Sequence, residues 1–154
     1  TISSNTANGT SGGGGMRFSG TVGASGFMII NSTFSGNNVP NGSGGGLYLA
    51  SLTGLANVQN STFTLNNSGT TSTTAGLGGG GIAAATGAGN LALQSTIISG
   101  NTANATNGRS DLAANTTLTV DAGNCAILDP DGYTLAANFN NLAANTVLNL
   151  LPLA

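Results

Sequence analysis

A glycine run followed by a short apolar stretch recurs along this chain, and no other feature limits the fold as tightly. Gly44-Gly45-Gly46-Leu47-Tyr48-Leu49-Ala50 returns as Gly79-Gly80-Gly81-Ile82-Ala83-Ala84-Ala85. A weaker copy, Gly13-Gly14-Gly15-Met16-Arg17-Phe18, precedes both, and degenerate copies follow at Ser110–Asn115 and Asn141–Asn145. The first apolar residue of each copy is Met16, Leu47, Ile82, Leu112 or Leu142. That is a period of about 30 residues, within the range of stacked repeats. Each copy therefore predicts one strand of a coil, with the next copy lying on top of it.

A second ladder runs in step with the first. Thr1-Ile2-Ser3-Ser4-Asn5, Asn31-Ser32-Thr33-Phe34-Ser35-Gly36-Asn37, Asn60-Ser61-Thr62-Phe63-Thr64-Leu65-Asn66 and Ser95-Thr96-Ile97-Ile98-Ser99-Gly100-Asn101 are one motif. Strand alternation points Ile2, Phe34, Phe63 and Ile97 inward and their Ser and Thr neighbours outward. The fourth copy reads as carrying one extra residue. In the last full coil Ile127 takes the inward place, without the Asn. Asn5, Asn37, Asn66 and Asn101 mark a corner, where Asn can adopt left-handed backbone and bond along a column of amides. A third strand is expected at Phe27–Ile30, Leu55–Val58, Asn90–Leu93 and Thr117–Val120. The prediction is one all-β domain over residues 1–154, a right-handed parallel β-helix (β-solenoid). It has about 30 residues per coil, three short strands per coil and four to five coils.

Abundant Gly and Asn would by themselves suggest disorder, but here the apolar residues are regularly placed, and small polar residues suit sharp corners. Missing residue types limit function. The chain has no His, and its ionisable side chains are 2 cations and 4 carboxylates among 154 residues. Arg17 and Arg109 cannot supply the basic face that nucleic acid demands. Anionic membranes are disfavoured for the same reason, and no apolar run is long enough to span a bilayer. The chain begins without Met and inside a repeat, which reads as a processed product or an excerpt of a longer polypeptide.

Candidate chemistry is sparse. Asp129 and Asp131, in Asp129-Pro130-Asp131-Gly132, are the only carboxylates close in sequence, and the same residues spell a turn. No catalytic residues, metal ligands or cofactor are expected. The glycine runs lack the Lys and the following helix of a phosphate loop. Cys125 stands alone in an apolar setting and reads as a small buried hydrophobe, with an intermolecular thiol as the alternative. A candidate contact face is the outward column Thr33, Ser35, Thr62, Thr64, Thr96 and Ser99, which would present a flat hydroxyl array to a glycan or to ice. Coil length varies between the Asn corner and the glycine run, at Thr6–Ser11, Asn38–Ser43, Asn67–Leu77 and Thr102–Ser110, so these loops gather on one edge.

The repeats NSTFSGN, GGGLYLA, NVQNSTFTLNN and STIISGNTA resemble those of bacterial right-handed β-helix surface proteins, among them the polymorphic outer-membrane-protein repeats. The tail Leu148–Ala154 is similar to the close of anchor-associated domains in large secreted proteins. The resemblance implies an extracellular adhesive, stalk or structural role, with no fixed catalytic set to carry over. The expected partners are further copies or neighbouring coils stacking at open ends into a cell-surface fibre, and glycans. Strand edges at the first and last rungs would accept such additions.

Overall fold

The structure is a computed structural model, and it describes residues 1–24, 26–87, 89–104, 110–115, 119–128 and 130–131. It is a parallel β-solenoid of about 4 turns whose equivalent positions lie about 31 residues apart. The first coil holds β1 (Ile2–Ser3), β2 (Met16–Thr21) and β3 (Phe27–Ile30). The second holds β4 (Thr33–Ser35), β5 (Asn38–Val39), β6 (Leu47–Thr53) and β7 (Leu55–Gln59). The third holds β8 (Thr62–Thr64), β9 (Asn67–Ser68), β10 (Ile82–Ala84) and β11 (Asn90–Gln94). The fourth holds β12 (Ile97–Ile98), β13 (Thr102–Ala103), β14 (Leu112–Ala114) and β15 (Thr119–Gly123). A further coil opens with β16 (Ala126–Ile127) and β17 (Pro130–Asp131).

Strands from successive coils pair in parallel. The sheets run β1-β4-β8-β12-β16, β17-β14-β10-β6-β2, β15-β11-β7-β3 and β13-β9-β5. The fourth sheet was not expected from the sequence. Its strands occupy the start of the segments read as loops, and Val39 and Ser68 are fully buried in it. Along the core, Leu47 pairs with both Met16 and Ile82, and Ile82 with Leu112. The rings of Phe34 and Phe63 stack with centroids 4.6 Å apart and planes 9° from parallel. Each coil exposes an apolar edge that only the next coil covers, so the core is a single column and stability is a nearest-neighbour property.

Four sequence expectations change. Ile98, not Ile97, stands on Phe63 and under Ile127, while Ile97 pairs with Thr62 and Ala126. The supposed extra residue does not exist: Ser95 takes the place of Asn60, and Ser95–Asn101 matches Asn60–Asn66 position for position. A one-residue slip exchanges the two faces of a strand, which is why Ile97 and Ile98 traded roles. The third strand of the fourth coil sits in a different register, with Thr119 rather than Thr117 paired with Asn90. The residue that pairs beyond Leu112 is Pro130, so Pro130 and Asp131 belong to a strand rather than a turn. Leu142, Arg109 and Asp129 lie outside the described residues.

Two corners carry left-handed backbone. One is the column Asn31, Asn60, Ser95 and Asn124, with φ from 47° to 53°. The other is Ser4, Gly36, Leu65 and Gly100, each immediately before a ladder Asn. The ladder Asn residues themselves do not adopt positive φ; the residue before each one makes the bend, which frees the amide side chain to point along the axis.

Candidate functional site

The most connected polar feature is the Asn column. Asn5 Nδ2 donates to Asn37 Oδ1 at 2.9 Å, Asn37 Nδ2 to Asn66 Oδ1 at 2.9 Å, and Asn66 Nδ2 to Asn101 Oδ1 at 2.9 Å. Each Oδ1 also accepts the backbone N–H of the Asn one coil earlier, at 3.0–3.2 Å. The second Nδ2 hydrogen goes to a backbone carbonyl: Ile2 O for Asn37, Phe34 O for Asn66 and Phe63 O for Asn101. Asn37 and Asn66 are fully buried, so these bonds stand in for water the groups cannot reach. The column has a direction: each Oδ1 from Asn37 to Asn101 accepts from the coil before, and one hydrogen of each Nδ2 is donated to the Oδ1 that follows.

It ends on a carboxylate. Asp111 Oδ1 accepts Asn101 N–H at 3.0 Å and Asn101 Nδ2 at 2.8 Å, in the two roles a fifth Asn would fill. Asp111 is the sequence equivalent of Gly15, Gly46 and Gly81, each of which precedes the first residue of its apolar strand. A Cβ on Gly46 would meet Gly81 O at 2.6 Å and Asn66 Nδ2 at 3.2 Å, and one on Gly81 would meet Asp111 O at 2.6 Å and Asn101 Nδ2 at 2.9 Å. A side chain is excluded wherever the next coil stacks its own backbone carbonyl and an Asn against this corner. After Ile127 the chain enters β17 at Pro130 and omits that corner, so Asp111 has room, and its oxygen serves Asn101. Sequence reading treated Asp111 as one more copy of the glycine motif and missed this role. The signal was present as a carboxylate replacing a glycine in the coil before the Asn is lost.

The glycine before each of these is closed off by backbone. A Cβ on Gly45 would lie 2.5 Å from Asn67 O, because β9 passes directly against it.

The opposite corner is held by hydroxyls. Ser32, Ser61 and Thr96 each donate to the carbonyl two residues earlier, at 2.9, 2.7 and 2.9 Å. Cys125 continues this column: its Sγ contacts Gly123 O at 3.2 Å and the residue is 2% exposed. Burial pushes its thiol pKa up, opposed by backbone hydrogen bonds with Thr96, Gly123 and Ser95.

The hydroxyl contact face does not assemble. Thr64, Thr96 and Ser99 are buried, Thr96 belongs to the Ser61–Cys125 column, and the outward column Thr33–Thr62 continues into Ile97 and Ala126. Only Thr33, Ser35 and Thr62 of the set keep partial exposure. Arg17 is held by Ser11 O at 3.1 Å and lies 5.9 Å from the ring centroid of its register neighbour Tyr48. Burial raises the Tyr48 pKa and the Arg17 charge partly offsets that. Among the described residues no three His, Cys, Asp or Glu side chains come together as a metal site.

One outward face does differ from the rest of the surface. On the third sheet Ala56, Val58, Leu91 and Leu93 point inward, and the alternate residues point out. Register aligns Met28 with Asn57, Ala92 and Asp121, and Ile30 with Gln59, Gln94 and Gly123. Where Ala92 and Gly123 fall between longer neighbours, a shallow depression of about 270 Å³ opens, lined by Asn57, Gln59, Gln94 and Asp121. Gln59 Nε2 and Gln94 Oε1 are 3.5 Å apart across it. Met28, Ile30 and Leu55, exposed by 53%, 42% and 39%, stand on the same sheet toward the first coil.

No protein-family model matches the chain, nor does any curated protein or any solved structure.

Proposed function

We propose that the chain is a non-catalytic structural or adhesive module of an exported cell-surface protein, serving as a rigid β-solenoid segment that stacks end to end in a stalk or fibre. The observation that carries this reading is the amide column from Asn5 to Asp111, buried from Asn37 onward, which ties the first four coils together. Polar groups that chemistry would need are spent on architecture: Asp111 on Asn101, Arg17 on Ser11 and Tyr48. The repeat motifs' resemblance to bacterial β-helix surface proteins supports the exported setting. Near-absence of charge, 2 cations against 4 carboxylates, weakens repulsion between stacked coils.

Stacking would use the strand edges of β1, β2 and β3, beside half-buried Ile2, Met16, Phe18 and Phe27. The amide column would not run through such a contact between copies. Asp111 closes the column with an acceptor where a further Asn would both accept and donate, so backbone pairing and apolar burial would hold the contact. Negative-stain microscopy with sedimentation velocity at rising concentration tests the reading. Rods that lengthen in steps of one particle are expected; monodisperse single particles throughout would overturn it.

A further inference from the structure

We infer that the outward face of the third sheet is a binding site for a neutral, extended glycan lying along the solenoid axis, from β3 across β7, β11 and β15. The assignment goes beyond the stacking role and does not depend on it.

Three observations carry it. First, the depression gathers side-chain amides from adjacent coils: Asn57 and Gln59 from one, Gln94 from the next, with the Asp121 carboxylate on the third. Primary amides offer a donor and an acceptor side by side, the pattern that vicinal hydroxyls complement. Second, coils repeat at about 4.8 Å along the axis. That is close to the length of one pyranose unit in an extended chain, so successive sugars would meet successive coils in the same way. Third, Met28, Ile30 and Leu55, three of the four exposed large apolar side chains among the described residues, stand on this same sheet. They offer a floor for the C–H faces of sugars while the amides take the hydroxyls.

The same residues argue against other ligands. Asp121 is the only charged group among the described residues that line the depression, so it would repel uronates, sulfated sugars and phosphates. Among the described residues the face has neither an aromatic nor an arginine side chain pointing outward, the types on which protein hot spots are built.

The test is a 1H–15N titration of the full chain with cellohexaose, xylohexaose and mannohexaose, with hexagalacturonate as the anionic control, at a protein concentration where sedimentation shows single particles. The expected result is saturable shifts with a Kd at or below about 1 mM for a neutral hexasaccharide, confined to Asn57, Gln59, Gln94, Asp121 and their neighbours. Ala92→Glu, which fills the depression from an outward position, should weaken binding at least about tenfold while leaving distant resonances in place. Gln94→Ala, on an exposed side chain, should weaken it severalfold and is the fallback if Ala92→Glu misfolds. The assignment is overturned if no neutral hexasaccharide gives saturable shifts below about 10 mM. It is equally overturned if hexagalacturonate binds as well as the neutral sugars, or if both variants bind like the parent. Shifts at this face with a protein such as serum albumin, and with none of the sugars, would mark a protein-docking surface and also overturn it.

Discussion

Replacing Asn66 with Ala should be among the most damaging single changes available in this chain. Asn66 Oδ1 accepts Asn37 N–H at 3.0 Å and Asn37 Nδ2 at 2.9 Å, and both Asn37 and Asn66 have no exposed surface. Truncation strands those donors where water has no access. A buried unsatisfied group costs about 1–3 kcal/mol, so the pair costs about 2–6. On the other side the loss is smaller, because Asn101 Oδ1 keeps the backbone N–H of Asn66. A central value of about 4 kcal/mol is a large share of a typical domain's 5–15 kcal/mol. With a urea m-value of about 2 kcal/mol/M, the midpoint should fall by about 2 M. Asn5→Ala is the internal control: Asn5 is exposed, water can replace its bonds, and the loss should stay below about 1 kcal/mol. Because stacked coils can unfold separately, urea titration should be followed by both circular dichroism and amide resonances. Equal midpoints for Asn66→Ala and Asn5→Ala would refute the reasoning.

Other outcomes follow from the same geometry. Asp111→Ala strands Asn101 N–H and Nδ2 in the same way, so its urea midpoint should fall by an amount comparable to Asn66→Ala. Leu65 sits at φ 57° and is 41% exposed, where the equivalent residues are Gly36 and Gly100; Leu65→Asn should raise stability by about 1 kcal/mol, read as a higher midpoint. Thr64 Oγ1 is buried without a hydrogen-bond partner, so Thr64→Val should also stabilise, by about 1–2 kcal/mol in the same titration. Cys125 should react slowly with a thiol reagent until the chain unfolds. Its raised pKa, like that of Tyr48, has a defined sign: stability is fully present below the unfolded-state value and is lost as pH climbs through the folded one. Unfolding midpoints should therefore decline above about pH 9 and hold steady between pH 6 and about pH 8.

The coil period and the identity of the stacking partners were legible because glycine runs and apolar residues recur at nearly constant spacing. Phe34 over Phe63 and Leu47 beneath Ile82 follow directly from that recurrence. Register inside the fourth coil was misread because Thr96-Ile97-Ile98 places similar β-branched residues side by side, although counting three back from Asn101, as Phe63 stands three before Asn66, gives Ile98. Strand register and the Thr96 hydroxyl on Gln94 O both match Thr96 to Ser61. The fourth sheet was hidden in segments whose Asn, Ser and Thr content reads as loop. There Asn67 Nδ2 donates to Asn38 Oδ1 at 2.8 Å, so a polar strand is stabilised by its neighbours rather than by propensity. Asp111 was obscured because its role depends on a corner that the following coil omits. The amide-lined depression depends on Ala92 and Gly123 falling among longer side chains, a property of three coils in register that no single segment displays.

Hydrogen exchange of the Asn side-chain amides tests the stacked-coil account most directly. The Nδ2 protons of Asn37, Asn66 and Asn101 should exchange orders of magnitude more slowly than in an unstructured peptide, while those of Asn5 should exchange nearly freely. Uniformly fast exchange at all four residues would mean that the buried amide column does not exist.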